Sequence, residues 1–353
     1  MKKIRQVFSI VMIISLFVLA ACGNSGGNSS SSSSQTSTTP STSGVEKGTS
    51  GESYTFKLTH ITQISHVWHK TAEKFGEELE RLSNGRMKLE IFPASQLGQE
   101  QDMVSQMVNG TIDFGFITNA YMSSRDEALN AWFMPFLFEN LEAVKKARDS
   151  ESAKTMLQQM DQQGLVGLDF MFTSNHHLLM KSGAIKSAED LKGKKIRIIG
   201  SPAIKDFWSS VGAVPTPMPL PEVYTSLQTG VIEGVTIDTD AMITEKFQEI
   251  AKDLTLTNQI AFPAVVVASK TNFEKLSPED QNIVKEAMKI AIDWGIEEAI
   301  KRETSNIEKL KEMGVSVYEL ESKDSFKKSK DEVYNKYSQN PLIKQFIEEN
   351  SGQ

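Results

Sequence analysis

The chain has 353 residues, a formal net charge of −7 and one cysteine, Cys22. The negative charge argues against nucleic acid as a partner, and a single cysteine leaves no pair for a disulfide and no thiolate metal site in the body of the chain. The roughly 300 residues after position 53 suffice for two domains of ordinary size. If the ligand is an anion, local donors must hold it against this overall charge.

The first 21 residues have the form of a bacterial secretory signal. A basic start, MKKIR, precedes an apolar run over residues 7–21, which is shorter than the roughly 20 residues that cross a bilayer. The sequence LAAC at positions 19–22 resembles a lipobox, so Cys22 is predicted to carry a lipid. The alternative is an ordinary signal peptide with an incidental cysteine.

Residues 22–53 are predicted to be a disordered tether behind the lipid. They are almost entirely Gly, Ser and Thr after Cys22, and such a segment buries too little apolar surface to offset its chain entropy. A flexible coil of that length reaches roughly 30 Å. The sequence therefore predicts a folded body, starting at about Tyr54, anchored to the outer face of the cell membrane.

The first half of the body alternates strands and helices. Alternating apolar residues predict strands, and apolar residues at helical spacing predict helices, the first of them capped by Ser65. The predicted order is strand 54–61, helix 67–82, strand 87–92, helix 99–110 and strand 111–117. This βαβαβ order predicts a parallel sheet with helices on both faces.

The second half repeats this alternation of strands and helices. It contains a predicted strand at 194–199, a helix at 202–212, an extended piece at 213–218, a helix at 221–230 and a strand at 231–238. A long helix is predicted over 278–313, with Ser277 as its cap and Asp280 completing a capping-box-like start. At 1.5 Å per residue it measures about 54 Å. The predicted helix is longer than one small domain, so it either bends near Gly295 or spans two lobes.

Arg197 is the most informative charge in the sequence. It lies among isoleucines in KIRII, just before a Gly-Ser-Pro break and a helix. Ligands of open α/β sheets bind beyond the carboxyl ends of strands, near helix N-termini. A guanidinium there suits a carboxylate, because it is always charged and binds in a bidentate fashion. The alternative is a solvated arginine at a strand end.

Five fragments now carry a family resemblance. They are NGRMKLEIFPASQLGQEQDMVSQMVNGTIDFGF (84–116), WFMPFLFEN (132–140), LKGKKIRIIGSP (191–202), VGAVPTPMPLPEVYTSLQTGVIEG (211–234) and FEKLSPEDQNIV (273–284). In this order, behind a lipobox, they resemble the DctP-type solute-binding proteins of TRAP (tripartite ATP-independent periplasmic) transporters. The resemblance covers essentially all of 54–353.

That resemblance implies a two-lobe α/β fold of the periplasmic-binding-protein type, in which a hinge joins the lobes and a long helix bridges them. It places lobe I at 54–174 plus 264–302 and lobe II at 175–263 plus 303–353, with helix 278–313 bridging both. It also implies that the lobes close over a small organic acid and that the arginine of the KIR position, here Arg197, clamps the carboxylate.

The function expected from the resemblance is capture of a C4-dicarboxylate, a sugar acid or a 2-oxo acid and its delivery to a TRAP permease in the membrane. The protein is expected to be a monomer without cofactor or metal. Two alternatives stay open: a lipoprotein that senses ligand for a signalling system, and an extracellular lipoprotein enzyme. Against the enzyme, the sequence has no G-x-S-x-G, no cysteine nucleophile and no H-E-x-x-H.

Two departures from the family leave the ligand open. Many members that bind sugar acids carry a second arginine about 20 residues before the first, and His177 falls closest to that place. A histidine there either hydrogen-bonds ligand or packs as an ordinary residue. Many members also have an asparagine where this chain has Ile237 or Asp238, and Asp238 is kept as a candidate ligand contact.

Five further residues are candidate ligand contacts. Gly200 follows Arg197 and lets a ligand approach the backbone. Leu220 lies where the family often has an apolar or aromatic wall. Thr118, Asn119 and Tyr121 follow a strand, where lobe I could supply hydroxyl and amide donors. The alternative for each is an ordinary loop residue.

The sequence HVWH at 66–69 has two histidines three residues apart on a helix. No nearby carboxylate or cysteine completes a metal ligand set. The motif is therefore predicted to be an exposed helix face with Trp68 packed beneath it, and no metal site is predicted.

Overall fold

The computed structural model describes residues 51–351. The predicted signal, the predicted lipid site at Cys22 and the tether as far as residue 50 lie outside the described residues. Within the described range, no helix combines the length and the apolar character needed to cross a membrane.

The described chain contains nine strands and twelve α-helices. The strands are β1 (Tyr54–Thr59), β2 (Met87–Phe92), β3 (Phe114–Thr118), β4 (Leu165–Met180), β5 (Lys195–Ile198), β6 (Val214–Pro217), β7 (Gly234–Ile237), β8 (Asp253–Ser269) and β9 (Ser316–Glu319). The helices are α1 (Val67–Leu82), α2 (Glu100–Val108), α3 (Asn119–Met122), α4 (Leu141–Ala147), α5 (Glu151–Gln159), α6 (Pro202–Ser210), α7 (Val223–Thr229), α8 (Thr239–Thr244), α9 (Lys270–Phe273), α10 (Pro278–Glu312), α11 (Lys327–Tyr337) and α12 (Pro341–Asn350). One 3₁₀ helix, Glu127–Phe133, matters for the packing described below.

The strands form one sheet in the order β2-β1-β3-β8-β4-β7-β5-β6, with β9 also paired to β8. In the first half, β1 is parallel to both β2 and β3. In the second half, β5 is parallel to both β6 and β7. The prediction of two parallel βαβ units is confirmed, and the carboxyl ends of these strands provide the edges where a ligand site is expected.

Two long strands that the sequence-based prediction missed join the halves. β4 and β8, of 16 and 17 residues, are antiparallel partners at the centre of the sheet. β8 pairs with β3 of the first half, while β4 pairs with β7 of the second. Their mutual register shifts between Phe172 and Asn175 and again between His176 and Leu178. Irregular register of this kind bends a strand, and the boundary expected between the lobes, at residues 174 and 175, lies in this interrupted stretch.

Helix α10 is a single continuous helix of 35 residues, as predicted. The Ser277 side chain accepts the backbone N–H of Asp280 at 3.1 Å. The Asp280 carboxylate does not complete a capping box, because it accepts a hydrogen bond from Arg86 Nη2 at 2.6 Å. The helix contacts both halves: its Asp293 bonds Arg148, and its Asn306 bonds the second half through Asp240, described below.

Gly295 is a site of close approach. A Cβ atom at this position would lie 2.2 Å from Thr71 Oγ1 of the facing helix α1, and Thr71 is fully buried. The glycine therefore lets α1 and α10 pack together.

We expect Gly295→Ala to destabilise the fold, although alanine is the better helix former by about 1 kcal/mol. Overpacking a buried contact costs about 1–3 kcal/mol, so the free energy of unfolding in urea should fall. The control is the double variant Gly295→Ala with Thr71→Ala, which removes the obstructing side chain and should recover stability relative to Thr71→Ala alone. A single variant more stable than the parent would contradict this account.

The last helix lies elsewhere than the sequence-based division places it. That division assigns residues 303–353 to the second lobe. In the structure, Phe346 of α12 packs its ring 4.8 Å from that of Trp132 in the first half, and the Ser152 side chain of α5 bonds Glu349. The apolar face of α12 is therefore buried against the first lobe, and only the part of the tail before it stays with the second.

Candidate ligand-binding cleft

Arg197 is buried, with 1 % of its surface exposed. Its Nε and Nη2 donate hydrogen bonds to the Met218 carbonyl oxygen at 3.1 and 3.0 Å. Burial lowers the pKa of Arg197 to about 10, although Glu100, Asp238 and Glu245 pull it upward. Within residues 51–351 no carboxylate lies within 4.0 Å of this guanidinium, which leaves an always-charged group with spare donors and no anion.

Two connected cavities, here called the outer and inner chambers, meet at Arg197. The outer chamber has a volume of about 300 Å³, the size of a small-ligand pocket, and the inner chamber about 20 Å³, room for one water molecule. The outer chamber is lined by Ile61, Ser95, Gln99, Glu100, Gln101, Tyr121, Arg197, Ile199, Gly200 and residues 217–221. The inner chamber is lined by Ile61, Thr62, His66, Trp68, Thr173, His176, Arg197, Ile199, Leu220, Ile237, Asp238, Ala241 and Phe262.

Glu100 lines the outer chamber and was missed by the sequence analysis. It is the first residue of α2, and its two carboxylate oxygens accept the backbone N–H and the hydroxyl of Thr118 at 2.7 and 3.0 Å. Burial raises the pKa of Glu100 to about 7, against the opposing effects of the Thr118 hydrogen bonds and the Arg197 charge. The rule that singled out Arg197 would have found it, because α2 begins beyond the carboxyl end of β2.

The two adjacent histidines of β4 face opposite sides of the strand. The His176 ring lies in the inner chamber, stacked on Phe262 at 4.5 Å, and neither ring nitrogen has a hydrogen-bond partner among the described residues. Burial lowers the pKa of His176 to about 3, so the ring is neutral. His177 lies outside both chambers, where its Nδ1 accepts the Asn258 N–H at 3.4 Å and its Nε2 is 3.8 Å from Glu303. The one-residue alternation of a strand thus places His176, not the predicted His177, beside Arg197.

The other predicted contacts divide into two groups. Gly200, Leu220 and Tyr121 line the outer chamber, and Leu220 lines the inner chamber as well. A Cβ at Gly200 would meet no atom within 4 Å, so the backbone there borders open space. Thr118 and Asn119 are buried and line neither chamber; Thr118 instead caps α3 and holds Glu100.

Asp238, the remaining predicted contact, lines the inner chamber as the cap of α8. Its Oδ1 lies 3.6 Å from Nε2 of His66, a side chain of the first half. Burial opposes a charge on either group, yet their mutual attraction lowers the pKa of Asp238 and, together with Asp240 and Glu245, raises that of His66. The His66 Nδ1 also accepts the backbone N–H of Trp68 and so caps α1, the role predicted for Ser65.

The HVWH motif is therefore not an exposed helix face. His66 and Trp68 are each 1 % exposed, and His69 is 7 % exposed. The predicted packing of Trp68 is confirmed. His66 lines the inner chamber because α1 begins where the two halves meet, whereas the His69 ring lies 3.1 Å from that of His60 within the first half.

Hydrogen bonds to Asp240 link the start of α1 to the second half. Its Oδ2 accepts the backbone N–H of Val67 at 2.7 Å and Arg302 Nη1 at 3.3 Å, while its Oδ1 accepts Asn306 Nδ2 at 3.2 Å. Arg302 also donates to the Ser65 carbonyl at 3.0 Å. We call this set the cross-cleft cluster: Ser65, His66, Val67, Asp238, Asp240, Arg302 and Asn306.

Two parallel half-sheets, two shared central strands and a cleft between them define a two-lobe solute-binding protein of the periplasmic type. The chain belongs to the DctP family of bacterial extracellular solute-binding proteins, family 7, whose profile matches residues 58–340.

Relatives and solved structures agree with this assignment. The 2,3-diketo-L-gulonate-binding periplasmic protein of Escherichia coli is 31% identical over 263 residues, which are 74% of this chain and 80% of the relative. A TRAP periplasmic solute-binding protein of Xanthobacter autotrophicus with bound β-D-galacturonate superimposes with a TM-score of 0.79, at 28% identity over 84% of this chain and 98% of that one. A TRAP periplasmic solute-binding protein of Sulfurospirillum deleyianum with bound succinate superimposes with a TM-score of 0.79, at 26% identity over 84% of this chain and 99% of that one. These similarities confirm the two-lobe fold and the family.

Proposed function

We propose that the protein captures a small organic acid between its lobes and delivers it to a TRAP permease, with Arg197 as the carboxylate clamp. The observation that carries this proposal is the buried Arg197 guanidinium, which has no acidic partner within 4.0 Å in the part of the chain that the structure describes and lies where both chambers meet. The acids named for the solved relatives support it. The ligand leaves chemically unchanged, and no enzymatic step is assigned to the cleft.

Hinge closure is the mechanism we propose for capture. β4 and β8 connect the lobes at their interrupted register. The cross-cleft cluster joins the lobes beside that stretch, where the backbone N–H of Thr239, next to Asp240, donates to the Ser174 hydroxyl of β4 at 3.3 Å. A ligand that bridges both lobes binds the closed form better and shifts the open–closed equilibrium toward it.

The proposed location follows from the N-terminal sequence and the family together. We infer that Cys22 carries the lipid and that residues 22–53 tether a monomeric receptor to the outer face of the cell membrane. Mass spectrometry of the membrane fraction would show a lipid on Cys22.

The proposal is tested by titrating the folded body with C4-dicarboxylates, sugar acids and 2-oxo acids, using calorimetry and thermal shift. At least one acid should bind and raise the melting temperature by an amount that grows with the logarithm of its concentration once that concentration exceeds Kd. Small-angle scattering should show a smaller radius of gyration in the complex. A panel in which no acid binds, or in which the bound acid is chemically altered on recovery, would contradict the proposed function.

A further inference from the structure

The charges that line the cleft are unequal in number. Arg197 is the one lysine or arginine among the residues that line the two chambers of the described structure. Two carboxylates line the same space, Glu100 in the outer chamber and Asp238 in the inner. Once a ligand carboxylate has engaged Arg197, the remaining ionisable groups of the described walls are two acids, two histidines and the phenol of Tyr121.

Neither histidine is available for a second ligand carboxylate. His176 is neutral, because burial lowers its pKa to about 3. The His66 Nε2 lies 3.6 and 4.0 Å from Asp238 and Asp240 and has no hydrogen-bond partner among the described residues, but His66 lines only the inner chamber, which has room for one water molecule and not for a carboxylate. In the outer chamber, a dianionic ligand would therefore place its second charge near Glu100, with no lining lysine or arginine other than Arg197 among the described residues to balance it.

The Glu100 carboxylate is suited to a different partner. Each of its oxygens accepts one hydrogen bond from Thr118, and a carboxylate oxygen has lone pairs for two. Glu100 can thus accept further hydrogen bonds from the chamber, and a ligand hydroxyl is the donor that satisfies it without adding negative charge. The outer chamber, of about 300 Å³, holds a small hydroxylated acid.

We propose, resting on the function proposed above, that the cleft selects hydroxylated monocarboxylates and rejects dicarboxylates, with Glu100 as the residue that sets this preference. Arg197 takes the single carboxylate, and Glu100 accepts a hydroxyl at the other end of the ligand. Of the three ligand classes expected from the sequence, this favours the sugar acids and related hydroxy acids. The choice is made by repulsion of the wrong ligand as well as by attraction of the right one.

The test uses acids that differ only at one end. The pairs are 4-hydroxybutanoate with succinate, and D-galactonate with D-galactarate, in which a CH₂OH of the first member is a carboxylate in the second. Calorimetry at pH 8.0 should show that the monoacid of a pair binds at least tenfold more tightly than its diacid.

Glu100→Gln is the decisive variant. It keeps the shape of the side chain and can bond both Thr118 groups, but it carries no charge, so affinity for the diacid should rise and the monoacid preference should fall to within about threefold. Glu245→Gln is the matched control: Glu245 also faces Arg197 electrostatically but lines neither chamber, so the preference should persist.

The preference should also depend on pH through Glu100. Because its pKa is about 7, the group is mostly protonated at pH 6.0 and mostly charged at pH 8.0, so the monoacid preference should grow as pH rises between these values. The other groups around Arg197 are Asp238, whose pKa is lowered, and the neutral His176. His66 and Glu245 also have raised pKa values. The Glu245→Gln variant measures the contribution of Glu245, and the contribution of His66 is present in the parent and in Glu100→Gln alike. The slope of the preference against pH should therefore be smaller in Glu100→Gln than in the parent.

The outcomes separate the two proposals. A diacid that binds as tightly as its monoacid, or a preference unchanged in Glu100→Gln, overturns the charge selection while leaving the receptor function in place. An equal loss of preference in Glu245→Gln removes the assignment to Glu100. If no monoacid and no diacid binds, the proposed receptor function itself fails.

Discussion

Arg197→Met should abolish acid binding without weakening the unliganded fold. Removing one partner of a buried charge-assisted pair costs about 2–5 kcal/mol of binding, or at least thirtyfold in Kd. In the unliganded protein, the pKa lowered from 12.5 to about 10 corresponds to a folding cost on the order of 3 kcal/mol for holding the charge in the buried site. The variant no longer bears this cost, but it also loses the two hydrogen bonds to Met218, which contribute about 2 kcal/mol to the stability of the parent.

The measurements are calorimetric titration with the bound acid and urea unfolding at pH 7. We expect no detectable binding and a free energy of unfolding equal to or above that of the parent. Arg86→Met is the matched control, because Arg86 is also largely buried but is paired with Asp280 at 2.6 Å. It should lower stability and leave affinity unchanged. An Arg197→Met protein that still binds acid tightly would end the clamp assignment.

These opposite expectations describe how the site is built. The protein itself supplies the carboxylate that pairs with a structural arginine such as Arg86, and this pairing stabilises the folded state. Arg197 is held by a backbone carbonyl and lacks an acidic partner within reach in the described residues. The fold thus holds a buried charged donor group in the cleft at some cost in stability, and we expect the bound carboxylate to offset that cost.

The sequence predicts the local elements, and the position of Arg197 at the end of a strand, because both depend on short-range patterns. The periodicity of α1, the alternation in β2 and the cap at Ser277 are each contained in a few residues. β4 and β8 were missed because they are largely buried central strands, whose apolar runs lack alternation and are interrupted by polar residues near positions 174–177 and 257–259.

The remaining site residues depend on long-range packing. Choosing between His176 and His177 requires the register of β4, and a shift of one residue reverses the faces. Glu100 meets Arg197 only after both half-sheets are assembled into one cleft. The burial of His66 likewise depends on residues more than 170 positions away, a separation that no local pattern encodes.

Asp240→Ala should weaken ligand binding by about 5- to 150-fold without removing any residue that lines the two chambers. Asp240 is a second-lobe residue that accepts the backbone N–H of Val67 at the start of α1, and it also receives Arg302 and Asn306. Without it, the closed form leaves buried donors unsatisfied, at about 1–3 kcal/mol. In an open form, water satisfies the same groups, so the cost falls mainly on closure.

Stopped-flow fluorescence from Trp68, which lines the inner chamber, should show this loss chiefly as faster ligand dissociation. Asp253→Ala is the matched control, because Asp253 accepts the Gly183 N–H and the Tyr318 hydroxyl at 2.8 and 3.1 Å, both within the second lobe. It should cost stability but leave the dissociation rate unchanged. If both variants release ligand at the parental rate, the cross-cleft cluster plays no part in closure, and the energy that holds the lobes together must come from the ligand alone.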